Sequence, residues 1–224
     1  SPYGRKVRIV IHELGRADRV ELVDTFPRDR PEEAIAKGPL GKIPVLETDS
    51  GVLVRDSAVI VEYLDREHGG SRLLASGGAD RWTALTNMAD ADGAIESTIL
   101  VRNERLRPAE QQSPAWIDWH VGKVRRCLQQ FDTMAGDRSG RSDLGVIAIG
   151  CAAAYVPTRL PEFEDLPKLS RLAGLLSELR KRQSFHRRAK RRQRIFQFVG
   201  EVGREGFDRF DAAVEGIGHA AQRP

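Results

Sequence analysis

Residues 38–70 read GPLGKIPVLETDSGVLVRDSAVIVEYLDREHGG. Two short apolar stretches, Ile43–Glu47 and Val52–Arg55, flank an Asp-Ser-Gly turn, which is the pattern of a β-hairpin. The spacing of apolar residues then changes. Ser57 suits a helix N-cap, Ile60, Tyr63 and Leu64 follow at helical intervals, and Gly69–Gly70 closes the helix. A hairpin feeding directly into a helix packs one face of a small sheet, so the elements around it must supply the other strands and the other cover.

Upstream, SPYGRKVRIVIHELG (1–15) reads as a helix. Ser1 fits the N-cap, Pro2 the first helical position, and Val7, Val10, Ile11 and Leu14 form an apolar stripe. RVELVD (19–24) alternates Val20 and Leu22 as a strand, and PEEAIAK (31–37) is a short helix. Residues 1–70 therefore predict the order α-β-α-β-β-α. Downstream every periodic stretch is helical. Residues 80–106 carry apolar side chains at 85, 88, 95, 99 and 106, and residues 114–134 place Ile117, Val121, Val124, Leu128 and Phe131 on one stripe. LGVIAIGCAAAYV (144–156) is apolar nearly all round and predicts a buried central helix. Leu169, Leu172, Leu176 and Leu179 mark one more amphipathic helix, and the loop-like stretch 71–79 divides the two halves.

The chain has 224 residues, 40% of them hydrophobic, enough for a substantial core. No apolar run reaches the length of a membrane span, and no signal peptide is visible. The net charge of +4 is local in origin: RKRQSFHRRAKRRQR (180–194) holds nine Lys or Arg and no acid, so the rest of the chain, without those nine, stands at −5. Those nine charges could contact phosphates, but only Phe185 interleaves them and no nucleic-acid motif accompanies them; the stretch reads as a solvated basic helix end rather than a nucleic-acid surface. The two cysteines, Cys127 and Cys151, sit in helical stretches as packing residues, and no Cys or His spacing suits a metal. The cysteine usage suits a reducing cytosol.

Three stretches together resemble the glutathione transferase family. SPYGRK (1–6) is similar to its active-site turn and first-helix start, GPLGKIP (38–44) to its Asn-Pro-Leu-Gly-Lys-Val-Pro segment, and DSAVI (56–60) to its Glu/Asp-Ser-x-x-Ile motif. RPAEQQS (107–113) further resembles the bacterial YibF-like branch, and the likeness extends over about residues 1–185. The resemblance implies an α/β thioredoxin-like N-terminal domain over 1–70 and an all-α helical-bundle C-terminal domain over 80–185. It leaves 186–224 as a basic, glycine-containing tail of unassigned structure. It also implies a cytoplasmic, homodimeric enzyme that uses glutathione as co-substrate, needs no metal, and conjugates it to a small electrophile. The alternative is a non-catalytic glutathione-binding or scaffold protein of the same fold.

The chemistry of that reaction gives the matched positions roles. A thiol with a pKa of about 8.5 is mostly protonated near neutral pH, so catalysis needs a hydrogen-bond donor and positive potential beside the sulfur. The resemblance makes Ser1 that donor, at a helix N-terminus whose dipole favours an anion; without it, Ser1 is an N-cap. Pro44 matches the family's cis-proline, which would turn the N–H and C=O of Ile43 toward the cysteinyl part of glutathione, as in strand addition; otherwise it is a strand-edge proline. Lys42 would pair with the glycyl carboxylate or stand as a surface lysine. Asp56 would hold the γ-glutamyl ammonium and Ser57 its carboxylate, or the two form a plain N-cap. The electrophile pocket, by the same resemblance, lies between the domains near Tyr3, Arg102 and Arg105. Trp116 and Trp119 fall off the main stripe and are expected to pack against a neighbouring helix or domain.

The sequence departs from the family pattern in three places. The strand expected before the Ser-Pro turn is absent, which would leave a sheet without its middle strand. The central second-domain helix begins DLGV (143–146), so Asp143 can cap but Val146 cannot return the bond, and Gly145 is a poor helix former, a penalty of about 1 kcal/mol. Beyond residue 185, Phe196, Val199, Phe207, Phe210, Val214 and Ile217 recur at the spacing of a weak amphipathic helix.

Overall fold

Pro2–Glu13 forms α1, capped by the Ser1 hydroxyl, which accepts the Gly4 N–H at 3.3 Å. The computed structural model in which this helix stands describes residues 1–25, 31–136, 142–163, 169–186 and 195–199. The expected order of the first half is present: β1 (Glu21–Thr25), α2 (Pro31–Ala36), β2 (Val45–Glu47), β3 (Leu53–Arg55) and α3 (Ser57–Gly69). Val7, Val10, Ile11 and Leu14 of α1 are buried, as are Ile60, Val61 and Leu64 of α3 and Val45 and Leu46 of β2. The apolar spacing that predicted the helices thus names their packed faces.

The sheet has a middle strand after all. Ile195–Val199, labelled β4, pairs antiparallel with β1 and parallel with β2, giving the order β1-β4-β2-β3. Gln197 stands opposite both Val23 and Val45. The helical spacing read through Phe196 and Val199 is overturned here: unpaired inner edges of β1 and β2 claim a strand, and edge satisfaction outweighs a weak helical pattern. The basic residues 187–194 and the apolar positions from Phe207 onward lie outside the described residues.

By its contacts the chain forms two units. One holds the described residues of Tyr3–Arg72 and those from Gln183 onward, including α8 (Gln183–His186), where Phe185 is buried and the Ser184 hydroxyl bonds the Glu13 carboxylate. The other, Leu73–Arg182, is helical: α4 (Gly78–Arg105), α5 (Pro114–Ala135), α6 (Leu144–Tyr155) and α7 (Ser170–Lys181). Every residue from Leu144 to Ala153 is buried, as the all-round apolar pattern required.

The buried face of α4 includes Met88 and Ile95 of the expected stripe but not Leu106. Leu106 is 66% exposed, and the buried stripe runs through Ala84, Met88, Ala91, Ala94 and Ile95. Small side chains let α6 approach closely. A Cβ at Gly145 would lie 2.8 Å from the Ala84 carbonyl oxygen and 3.0 Å from the Ala84 Cα. Gly145 is therefore a contact requirement and not merely a weak helix former. Asp143 caps α6 as expected, accepting the Val146 N–H at 2.9 Å.

Trp116 and Trp119 do not pack as expected. They are 46% and 59% exposed; Trp116 meets the buried His120 edge-on at 4.4 Å, and the Lys123 ammonium sits over Trp119 at 5.3 Å. Partial cover by polar neighbours on the same helix keeps these amphipathic rings at the surface.

Gly145→Ala should lower stability by about 1–3 kcal/mol, although alanine is the better helix former, because backbone stands where the methyl would go. Gly93, also helical but with nothing within 4 Å of an added Cβ, is the control. Gly93→Ala should raise stability by about 0.4–1 kcal/mol. Thermal melts of the two variants moving in the same direction would refute the contact argument.

Candidate active site

Glycine and proline chemistry sets the loop before β2. Gly41 has φ +54°, in the left-handed region, and its N–H closes a turn onto the Gly38 carbonyl at 2.9 Å. Lys42 follows, exposed, and the Ile43–Pro44 peptide bond is cis. Ile43 has no hydrogen bond among the described residues. Its N–H and C=O are the two groups that strand-like addition of an extended ligand would use.

The β2–β3 pairing places the second pair of residues beside the first. Val45 stands opposite Arg55 as the last pair of the ladder, so Pro44, just before it on one strand, and Asp56, just after it on the other, flank the same end of the hairpin. Sequence positions ten apart thus meet at one end of the hairpin.

Asp56 caps α3 in an unusual backbone conformation, φ 69° and ψ 134°. A non-glycine residue held there costs of order 1–3 kcal/mol, and such strain concentrates at functional positions. Its Oδ1 accepts the Ala58 N–H at 2.8 Å, which stabilises the turn. Ser57 is buried as a residue, and its hydroxyl has no protein partner among the described residues. No acid occupies the first turn of α1, whereas at α3 the Asp56 carboxylate already sits at the N-cap against the positive end of the helix.

One positioning group escaped the sequence reading. Arg55 donates through Nη1 to the Lys37 carbonyl at 3.2 Å, and its side chain lies where a Cβ on Gly38 would stand. The Lys37 ammonium in turn pairs with Glu47 at 2.7 Å. These contacts tie the start of the 38–44 loop to both hairpin strands. Alternation along β3 marks Arg55 as an outward residue, but nothing in its spacing shows where its side chain turns.

The remaining candidates stand elsewhere. Ser1 is at the tip of α1, and Tyr3 is half-buried two residues on. Arg102 on α4 bonds the Asn103 side chain at 3.4 Å. Arg105 makes a two-point pair with Glu162 at 2.6 and 3.2 Å. That hydrogen bonding raises the guanidinium's pKa and holds the Glu162 carboxyl below its ordinary range. Arg105 is thereby occupied by a partner of its own unit. Burial pushes the Cys127 thiol up, which fits a packing role. Among the described residues no group of three or more His, Cys, Asp or Glu side chains could hold a metal, and no helix is long and apolar enough to cross a membrane.

Comparisons with known proteins follow the same geometry. Residues 1–72 match the glutathione S-transferase N-terminal domain family. A crystal structure of a glutathione transferase family member from Pseudomonas fluorescens Pf-5, with bound S-(propanoic acid)-glutathione, is 34% identical; the alignment covers 83% of this chain and 93% of that one, with a TM-score of 0.71. A glutathione S-transferase from Methylobacterium radiotolerans, in complex with glutathione sulfonate, is 32% identical over 83% of this chain and 89% of that one, with a TM-score of 0.76. The uncharacterized GST-like protein YibF of Escherichia coli K12 is 29% identical over 190 residues, 84% of this chain and 93% of that protein.

Glu162→Gln should lower the melting temperature slightly at neutral pH, since partly exposed pairs contribute about 0–1 kcal/mol. The Glu162 pKa is depressed in the folded state, so the stability it adds is present above the unfolded carboxyl range and lost as pH falls through the folded value. The difference between wild type and variant in thermal melts should therefore shrink as pH drops below about 4.3.

Proposed function

The chain belongs to the glutathione transferase family, and we propose that it is a glutathione-dependent transferase acting on a small electrophile. The observation that carries this reading is the hairpin end, where Ile43–Pro44 and Asp56–Ser57 come together in a chain similar to proteins crystallised with glutathione or its derivatives. Ile43 pairs its backbone N–H and C=O with the cysteinyl part of the tripeptide. The start of α3 takes the γ-glutamyl carboxylate through the Ser57 hydroxyl and backbone N–H groups, with Asp56 on the ammonium. Lys42 faces the glycyl carboxylate.

The thiol proton leaves to solvent as glutathione binds. The Ser1 hydroxyl, whose oxygen accepts the Gly4 N–H, donates its O–H to the sulfur when glutathione binds, so the thiolate lies at the positive end of α1. The thiolate's electron pair then forms the C–S bond. The electrophilic carbon releases a leaving group with its bonding pair or, in an addition, gains a proton. Tyr3, near the start of α1, is the candidate in this unit for contacting that second substrate. The reading carries with it a homodimer and a cytoplasmic location.

Conjugation of glutathione to 1-chloro-2,4-dinitrobenzene tests the proposal. A lost hydrogen bond to a charged group is worth about 1.5–3 kcal/mol, so Ser1→Ala should reduce kcat/KM roughly 10- to 100-fold. The pKa of the bound thiol, read from thiolate absorbance, should rise with it. Ser57→Ala should instead raise the KM for glutathione. No retention on glutathione-agarose and no conjugation would sink the reading. Retention that Ser1→Ala leaves unchanged, with no conjugation, would favour the non-catalytic binding protein.

A further inference from the structure

Arg55 lies outside the matched motifs and adjoins three parts of the candidate active site. Its backbone stands opposite Val45, the residue that follows the cis Ile43–Pro44 bond. The next residue along the chain, Asp56, holds φ 69° and caps α3. Its side chain crosses to a third segment and donates Nη1 to the Lys37 carbonyl at 3.2 Å, just before the 38–44 loop. One residue thus joins the first end of that loop to the hairpin that already holds its last end.

The loop is held from its ends. Gly38 and Pro44 are buried, whereas Leu40 is 76% exposed, Lys42 is exposed, and Ile43 makes no hydrogen bond among the described residues. Lys37 is tied twice, its carbonyl by Arg55 of β3 and its ammonium by Glu47 of β2 at 2.7 Å. A short loop fixed at both ends meets a ligand already ordered. A loop released at one end must be ordered by the ligand, and that cost is subtracted from affinity.

Gly38 carries the second observation. A Cβ there would lie 2.4 Å from the Arg55 Cδ and 3.3 Å from its Nε, so any side chain at 38 and the present path of Arg55 exclude each other. Asparagine opens the family segment that 38–44 resembles; glycine in its place leaves the room that Arg55 fills. Arg55 is exposed and makes no other hydrogen bond or ion pair among the described residues. A single bond of that kind adds little to global stability, so its use lies in where it holds the loop.

We propose that Arg55 is a positioning residue for glutathione. By holding the Lys37 carbonyl it presents the Lys42–Ile43 segment in the conformation that the tripeptide pairs with. This inference rests on the reading of the hairpin end as the glutathione site. Arg55 acts through the loop, so its loss falls on binding and not on formation of the C–S bond.

Calorimetric titration of the full chain with glutathione, alongside steady-state conjugation of 1-chloro-2,4-dinitrobenzene, tests the role. Arg55→Ala should raise the Kd and the KM for glutathione about three- to tenfold, the range of one net hydrogen bond, with kcat and the bound-thiol pKa unchanged. Arg55→Lys, which keeps a donor and most of the stem, should recover much of the loss. Gly38→Ala keeps the charge but takes the space of the Arg55 side chain, so it should weaken binding by a similar factor. Added to Arg55→Ala, it should cost nothing more. If Arg55→Ala does not fold, Gly38→Ala and Arg55→Lys decide the question. A Kd unmoved in the folded single variants, additive losses in the double variant, or a loss carried by kcat alone overturns the positioning role while leaving the glutathione reading intact. A wild-type chain that binds no glutathione overturns both.

Discussion

β1 and β2 do not pair with each other, yet both must have their inner edges satisfied. Ile195–Val199 does this, pairing with β1 on one side and β2 on the other. A buried backbone N–H or C=O without a partner costs about as much as a lost hydrogen bond, and a short sheet has few other ways to meet that demand. The consequence reaches the candidate site. β2 carries the chain out of the cis Ile43–Pro44 bond, and β3, paired to β2, delivers Asp56 to the start of α3. The candidate binding groups are thus held at the end of a hairpin whose β2 strand pairs with β4.

The helical unit obeys a different constraint, that of volume. α6 is surrounded on all sides, so every contact it makes is with side chains or backbone of its neighbours. Alanines on α4 and Gly145 on α6 let the two helices come close enough for the Ala84 carbonyl to stand within 3.0 Å of where a methyl would be. A position that propensity alone marks as a defect is one that packing requires.

The two ends of the first unit differ in what they offer. At one end, helix N-termini and exposed backbone groups suit a peptide with charged termini. At the other, past the last turns of α1 and α3, a pocket is walled by arginine, aromatic and aliphatic side chains. Arg16 joins the ends of the two helices there through its bonds to the His68 carbonyl.

Much of this was legible in the chain itself. The alternation around Asp-Ser-Gly, the Ser57 start and the Gly69–Gly70 stop located the hairpin and α3 because these signals are local: a turn, a cap and a period each depend on neighbours a few residues away. The all-apolar run at 144–156 named the central helix for the same reason. The sequence also pointed to Ser1, Lys42–Pro44 and Asp56–Ser57 as candidates. What only the tertiary structure decided were pairings between distant residues. The strand at 195–199, the Ala84–Gly145 approach, the turn of Arg55 onto the Lys37 carbonyl and the Arg105–Glu162 pair all join groups with no shared local pattern. Local spacing fixes which face an element buries, but which partner meets that face is set by edges and volumes that exist only once the chain has closed on itself.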